Sequence, residues 1–248
     1  MNSPNGSQRS DTDPTLSAMA VAAFAMASLS SIRSSGTGNR ILRIQHYLKA
    51  LAQRLQAHPP FTAVLTESYI SRLFYLAPLH DMGSIGVPDR ILLKPSRLTV
   101  AEFAILKTHT TLAGKMIEQA EEVLGFRADL LNTLKEMTVS HHEKWDGTGY
   151  PQGLSADQVP LAARLLAVVD VYEALISDRV YKTGIPHDEA VAVIFQGRSS
   201  QFDPDIVDAF IEIKDEFQAI AGRFADSDQD RQRMIEYMAN AIAEEVEW

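Results

Sequence analysis

Imidazole and carboxylate groups recur in this chain where a metal could be gripped. His80-Asp81 follows the apolar run Phe74-Tyr75-Leu76-Ala77-Pro78-Leu79, His141-His142-Glu143 closes a helical stretch, and His109 lies between them. Asp170 sits inside Leu165-Leu166-Ala167-Val168-Val169-Asp170-Val171. A lone buried carboxylate there would cost several kcal/mol, so it must be paired or coordinated. Neighbours on a helix point ~100° apart, so a doublet such as His80-Asp81 can serve one centre only from a helix end or a packed interior. The chain has no cysteine, which excludes disulfides, thiolate zinc sites and cysteine nucleophiles. Any metal must be held by nitrogen and oxygen, a donor mix that suits Fe, Mn, Zn, Ni or Co.

Plainer readings stand beside each of these residues. Asp170 could be a structural ion pair with Arg164 or Arg179, and Trp145-Asp146-Gly147-Thr148-Gly149-Tyr150-Pro151 could be a tight turn and nothing more. His46, His58 and His187 read as ordinary satisfied polar groups.

The elements that must carry these groups read as helices. Ile41, Ile44, Leu48, Leu51 and Leu55 recur at steps of three and four, which is one helical face ended by His58-Pro59-Pro60. Thr99-Val100-Ala101-Glu102 is a capping box opening a helix through Phe103, Leu106 and His109. Further helices are expected over about 128–142, 161–177, 187–195 and 204–217, and a last one carries Met234, Met238, Ile242 and Val246 on a stripe. That stripe suits either a helix pair, hence a homodimer, or a fold back onto the core. No strand alternation appears. The expected fold is all-α: a polar tail and Ala-rich helix over 1–35, a helical bundle over 36–225, and a C-terminal helix over 226–248.

Thr15–Ile32 is apolar, but Ser17, Ser28, Ser30 and Ser31 dilute it and Asp11 and Asp13 precede it with Arg9 as the single cation. It reads as a soluble helix rather than a leader or a membrane span. The 248 residues are 46% apolar and 22% charged, with net charge −9 when histidines are neutral. That balance argues against a binder of nucleic-acid polymers, which needs clustered cations, and leaves room for a small phosphate ligand. A cytoplasmic location is compatible with the missing cysteines.

Taken in order, the motifs resemble one family. His80-Asp81-Met82-Gly83, Ile85-Gly86-Val87-Pro88, Ile91-Leu92-Leu93-Lys94-Pro95, Lys107-Thr108-His109, His141-His142-Glu143-Lys144-Trp145-Asp146-Gly147-Thr148-Gly149-Tyr150-Pro151, Asp170-Val171-Tyr172-Glu173-Ala174-Leu175 and Asp178-Arg179-Val180-Tyr181-Lys182 are similar to the HD-GYP domain. The resemblance runs from about Thr37 to Phe224. It implies a helical, metal-dependent phosphodiesterase that hydrolyses cyclic di-GMP to pGpG or GMP, using one or two ions of Fe, Mn, Ni or Zn. By that resemblance Asp81 bridges two metals, His109, His141 and His142 complete one site, and His80 and Asp170 hold the other. Asp81 and Asp170 are then central to catalysis, Arg179 and Lys182 grip substrate phosphates, and Tyr150 lies in the turn beside the site.

Three positions depart from the family pattern. Gly36 stands for a carboxylate, Arg40 for a histidine ligand, and Ser84 for the lysine after His-Asp-x-Gly. An arginine cannot deprotonate to ligate, so the site of His80 and Asp170 loses a ligand while the other keeps all four. His46 lies ~240° around the helix from Arg40, too far round to replace it. The readings left open are an enzyme of reduced metal content, a degenerate module that binds cyclic di-GMP or a signalling partner, and an HD-type phosphohydrolase of mononucleotides.

Overall fold

The computed structural model describes residues 20–28, 38–94, 96–125, 129–178, 183–230, 232–233 and 235–236. Its elements are α1 (20–28), α2 (Gly38–Gln56), α3 (Pro59–Thr62), α4 (Glu67–Leu76), the 3-10 turns η1 (Ala77–Leu79) and η2 (Met82–Gly86), α5 (Asp89–Leu92), α6 (Val100–Leu124), α7 (Asp129–Ser140), the 3-10 turn η3 (Ala156–Gln158), α8 (Leu161–Ile176), α9 (His187–Gln196), α10 (Pro204–Glu212) and α11 (Lys214–Arg223). No strand occurs among the described residues, and the fold is all-α as expected.

Two helices form the axis of the bundle. On α2, the predicted stripe of Ile41, Ile44, Leu48, Leu51 and Leu55 is buried, and the helix packs against α4, α8, α10 and α11. Helix α8 is apolar on almost every side, with Leu165, Leu166, Val168 and Val169 wholly buried, as befits a helix surrounded by others. Tyr47 of α2 stacks on Phe217 at 4.6 Å and meets Tyr172 of α8 edge-on at 5.3 Å.

Local chemistry sets the helix limits. Thr99 and Glu102 form the predicted capping box, and α6 ends on Gly125 in the left-handed conformation (φ 70°). Pro59 and Pro60 end the α2 pattern and open α3 at its first turn, where their missing N–H groups cost nothing.

One expected helix divides. Residues 204–217 form α10 and the start of α11, broken at Ile213 (φ −116°, ψ 17°). In an unbroken helix, residues seven apart lie about 10 Å apart along the axis. The break brings the Phe210 and Phe217 rings to 4.9 Å and lets Phe217 reach Tyr47. Tertiary packing overrides the helical period there. The striped C-terminal helix lies for the most part outside the described residues, as do the tail and residues 29–37, including Gly36. No described helix is long and apolar enough to cross a membrane.

Candidate metal centre

The two doublets fall at helix ends, where adjacent side chains can converge. His80 caps η1, and Asp81 leaves helical geometry (φ −97°, ψ 13°) to open η2. His141 and His142 follow directly on α7. Gly83 permits this turn to lie on α6: a Cβ there would sit 1.9 Å from the carbonyl oxygen of His109. Backbone contact thus sets the spacing between His80-Asp81 and the histidine it faces.

Four elements then deliver their donors to one place. A ligand atom from each of Asp81, His109, His141 and His142 lies within 4.8 Å of the others, and a second group of His80, Asp81 and Asp170 meets the same limit. Asp81 Oδ1 is 3.6 Å from His109 Nε2 and 3.5 Å from His141 Nε2, while Asp81 Oδ2 is 3.2 Å from His80 Nε2. Asp170 Oδ1 is 3.7 Å from His80 Nε2.

The imidazoles are held in one orientation. Nδ1 of His80, His109 and His141 lies 2.8, 2.7 and 2.9 Å from the carbonyl oxygens of Ala77, Leu106 and Met137. A carbonyl can only accept, so each Nδ1–H donates and each Nε2 is the nitrogen that faces the site. All three Nε2 atoms are buried and have no hydrogen-bond partner among the described residues. Buried polar nitrogens are normally satisfied. Three Nε2 atoms converging on a carboxylate fit a divalent cation, and the donors are all nitrogen and oxygen.

The electrostatics lean the same way. Burial pushes His80 down, but the carboxylates of Asp81 and Asp170 outweigh it and raise its pKa to about 10, so these carboxylates favour positive charge at His80 Nε2, a proton that a bound cation would displace. Burial would push both aspartates up; instead His80 and His141 hold Asp81 well below the carboxylate range, and His80 and Arg40 do the same for Asp170. His142 is pushed down to about 3 by burial and by His141, so it stays neutral and able to ligate. Tyr150 stacks on His142 at 4.9 Å, and burial raises its pKa so that it remains a phenol.

Asp170 is not paired with Arg164, which instead bonds Asp203 at 2.7 Å and Asp157 at 3.1 Å. Its partner is Arg40, whose Nη2 lies 3.2 Å from Oδ1. Arg179 and Lys182 lie outside the described residues. His46 stacks on Phe224 at 4.8 Å, belongs to neither group, and is packed as an ordinary ring.

Three features escaped the sequence reading. Glu143 is buried and accepts from the N–H groups of Gln152 (2.7 Å) and Leu154 (3.1 Å), so it ties down the glycine-rich turn. Gly149 lets that turn close on it, since a Cβ would fall 2.3 Å from the Lys144 nitrogen. Lys107 Nζ sits 4.8 Å from the rings of both Phe103 and Tyr150, a cation beside the site. A glutamate ending a His-His-Glu run was a weak signal for the first; Lys107 stood in the Lys107-Thr108-His109 run, but nothing there gave it a role of its own.

Residues 33–206 match the sequence profile of the HD domain family. A Vibrio cholerae protein named "Probable cyclic di-GMP phosphodiesterase" is 50% identical over 205 residues, covering 83% of this chain and 46% of that relative. A second V. cholerae protein, named "Cyclic di-GMP phosphodiesterase", is 46% identical over 207 residues, covering 84% of this chain and 42% of the relative. The chain therefore spans less than half the length of these relatives. Among solved structures, an HDG"Y"P protein from Bdellovibrio bacteriovorus superposes with a TM-score of 0.51 at 17% identity, over 80% of this chain and 64% of that one; this likeness speaks for the fold alone.

Proposed function

This chain belongs to the HD domain family, in its HD-GYP branch, and on that premise we propose that it is a metal-dependent phosphodiesterase hydrolysing cyclic di-GMP to pGpG or GMP. The observation that carries the proposal is the convergence of the oriented Nε2 atoms of His80, His109 and His141 on Asp81. Asp81, His109, His141 and His142 would hold a divalent ion of Fe, Mn, Ni or Zn, which would supply water activation and Lewis-acid stabilisation of the phosphoryl oxygens.

The remaining roles belong to the chain's own groups. Asp81 joins the two ligand groups and fixes their distance, and the backbone carbonyls of Ala77, Leu106 and Met137 keep the imidazoles aimed. Asp170 and His80 form the other wall. Arg179 and Lys182 hold the non-bridging phosphate oxygens as charge-assisted donors. Tyr150, packed against His142, and Lys107 beside it line the substrate side of the turn. The reading also places the chain in the cytoplasm, with cyclic di-GMP as its small-molecule partner; a signalling protein and a second copy of the chain are its candidate protein partners.

The relatives named as cyclic di-GMP phosphodiesterases support turnover over a purely binding role. Purified protein given cyclic di-GMP with Mn²⁺ or Fe²⁺ is expected to release pGpG or GMP, resolved by chromatography. His141→Ala is expected to lower the rate at least ~100-fold through loss of a ligand. Product no greater than that of the His141→Ala control would overturn the proposal.

A further inference from the structure

The two ligand groups that share Asp81 are not equivalent. Asp81, His109, His141 and His142 offer one carboxylate and three imidazoles, while His80, Asp81 and Asp170 offer three donors. In the smaller group the place beside Asp170 is taken by a cation of the chain itself. Arg40 Nη2 donates to Asp170 Oδ1 at 3.2 Å, and this is the same oxygen that faces His80 Nε2 at 3.7 Å. Both side chains are largely enclosed, 16% and 17% exposed.

The contact is built into the helix register rather than left to a free rotamer. One turn further along both helices, Arg43 of α2 grips Glu173 of α8 with Nε and Nη2, at 2.7 to 3.1 Å, and both side chains are buried. Arg43 Nη1 also donates to the carbonyl of Phe224 at 2.7 Å and pairs with Asp226 at 3.2 Å. Arg40–Asp170 and Arg43–Glu173 are thus successive rungs between the same two helices. The inner rung fixes the rotation of α2 against α8 and delivers Arg40 to Asp170.

A guanidinium carries no lone pair and does not deprotonate. It cannot ligate, and it places a permanent positive charge where a second divalent ion would have to approach Asp170 Oδ1. We propose that this chain holds a single divalent ion, on Asp81, His109, His141 and His142, and that the Arg40 guanidinium permanently occupies the cation position of the His80–Asp81–Asp170 group. The proposal rests on the metal centre described above and assigns its second cation to the protein.

Its test counts ions rather than turnover. The full chain is stripped of metal, reconstituted with excess Mn²⁺ and desalted, and Mn per chain is measured by mass spectrometry alongside electron paramagnetic resonance. The wild type is expected to retain one Mn per chain with the spectrum of an isolated ion. Arg40→His, which trades the guanidinium for an imidazole donor, is expected to retain two, with the spectrum of an exchange-coupled pair. Two ions in the wild type would overturn the assignment, whether or not the variant folds. One ion in an Arg40→His protein with wild-type circular dichroism would overturn it too. A wild type that keeps one ion but releases no pGpG or GMP defeats the proposed activity and leaves this assignment standing; one that keeps no ion defeats both.

Discussion

At the scale of single residues, the same side-chain type does opposite work according to what surrounds it. Asp170 and Glu173 lie one turn apart on α8, and each meets an arginine of α2. The Arg43–Glu173 pair is buried and bidentate, with Ser177 and Asp226 added to it, so neither buried charge lacks a partner. Removing one partner would strand the other. Arg43→Met is therefore expected to lower unfolding free energy by about 3–5 kcal/mol, measured by urea denaturation; a loss under ~1 kcal/mol, the worth of a surface pair, would show that the pair contributes little. Arg40→Met should cost less, because Asp170 Oδ1 still faces His80 Nε2 at 3.7 Å.

At the scale of elements, turns rather than helices decide whether the ligands meet. The η1–η2 turn approaches α6 so closely that Gly83 has no room for a methyl group. Gly83→Ala should push His80-Asp81 away from His109, with bound Mn falling by at least half, while far-ultraviolet circular dichroism stays near wild type. Unchanged metal content would mean that the turn can shift without moving its ligands. The start of α6 carries a pH signature of its own. Hydrogen bonds from Lys94 and Thr99 hold Glu102 down to about 2, below its unfolded value of about 4.3. A depressed acid contributes above the unfolded pKa and loses that contribution as pH falls through the folded one. Fraying at Thr99–Phe103, followed by amide exchange, should therefore rise between pH ~4 and ~2, and be the same at every pH in Glu102→Gln.

At the scale of the whole molecule, the centre ties together the η1–η2 turn, the middle of α6, the end of α7 and the interior of α8. Elements distant in sequence share it, so a bound ion should stabilise the fold and not the site alone. With free metal at 100 times its dissociation constant, linkage gives about 2.7 kcal/mol, and a chain of this length should gain roughly 5–10 °C in Tm. Calorimetry with and without EDTA checks this. A Tm indifferent to EDTA and to added Mn²⁺ would contradict a centre that bridges these elements.

What the amino-acid order determined by itself was periodic or local. The stripe of α2, the Thr99–Glu102 box, the apolar run of α8 and the polar doublets at helix ends all follow from residue types a few positions apart. The histidines and aspartates singled out by type are those the fold brings together, and the loss of a donor at Arg40 was legible only through the resemblance to a family that has a histidine there. Only the tertiary structure decided where that guanidinium goes. Nothing near residue 40 announces Asp170, 130 positions away; the contact exists because the Arg43–Glu173 rung locks α2 against α8. The break at Ile213 was equally hidden, since the helical period continues across it and only the packing of Phe217 on Tyr47 rewards the interruption. Short-range chemistry is written along the chain, whereas the register between helices is settled by whichever buried rings and charges must be satisfied at once.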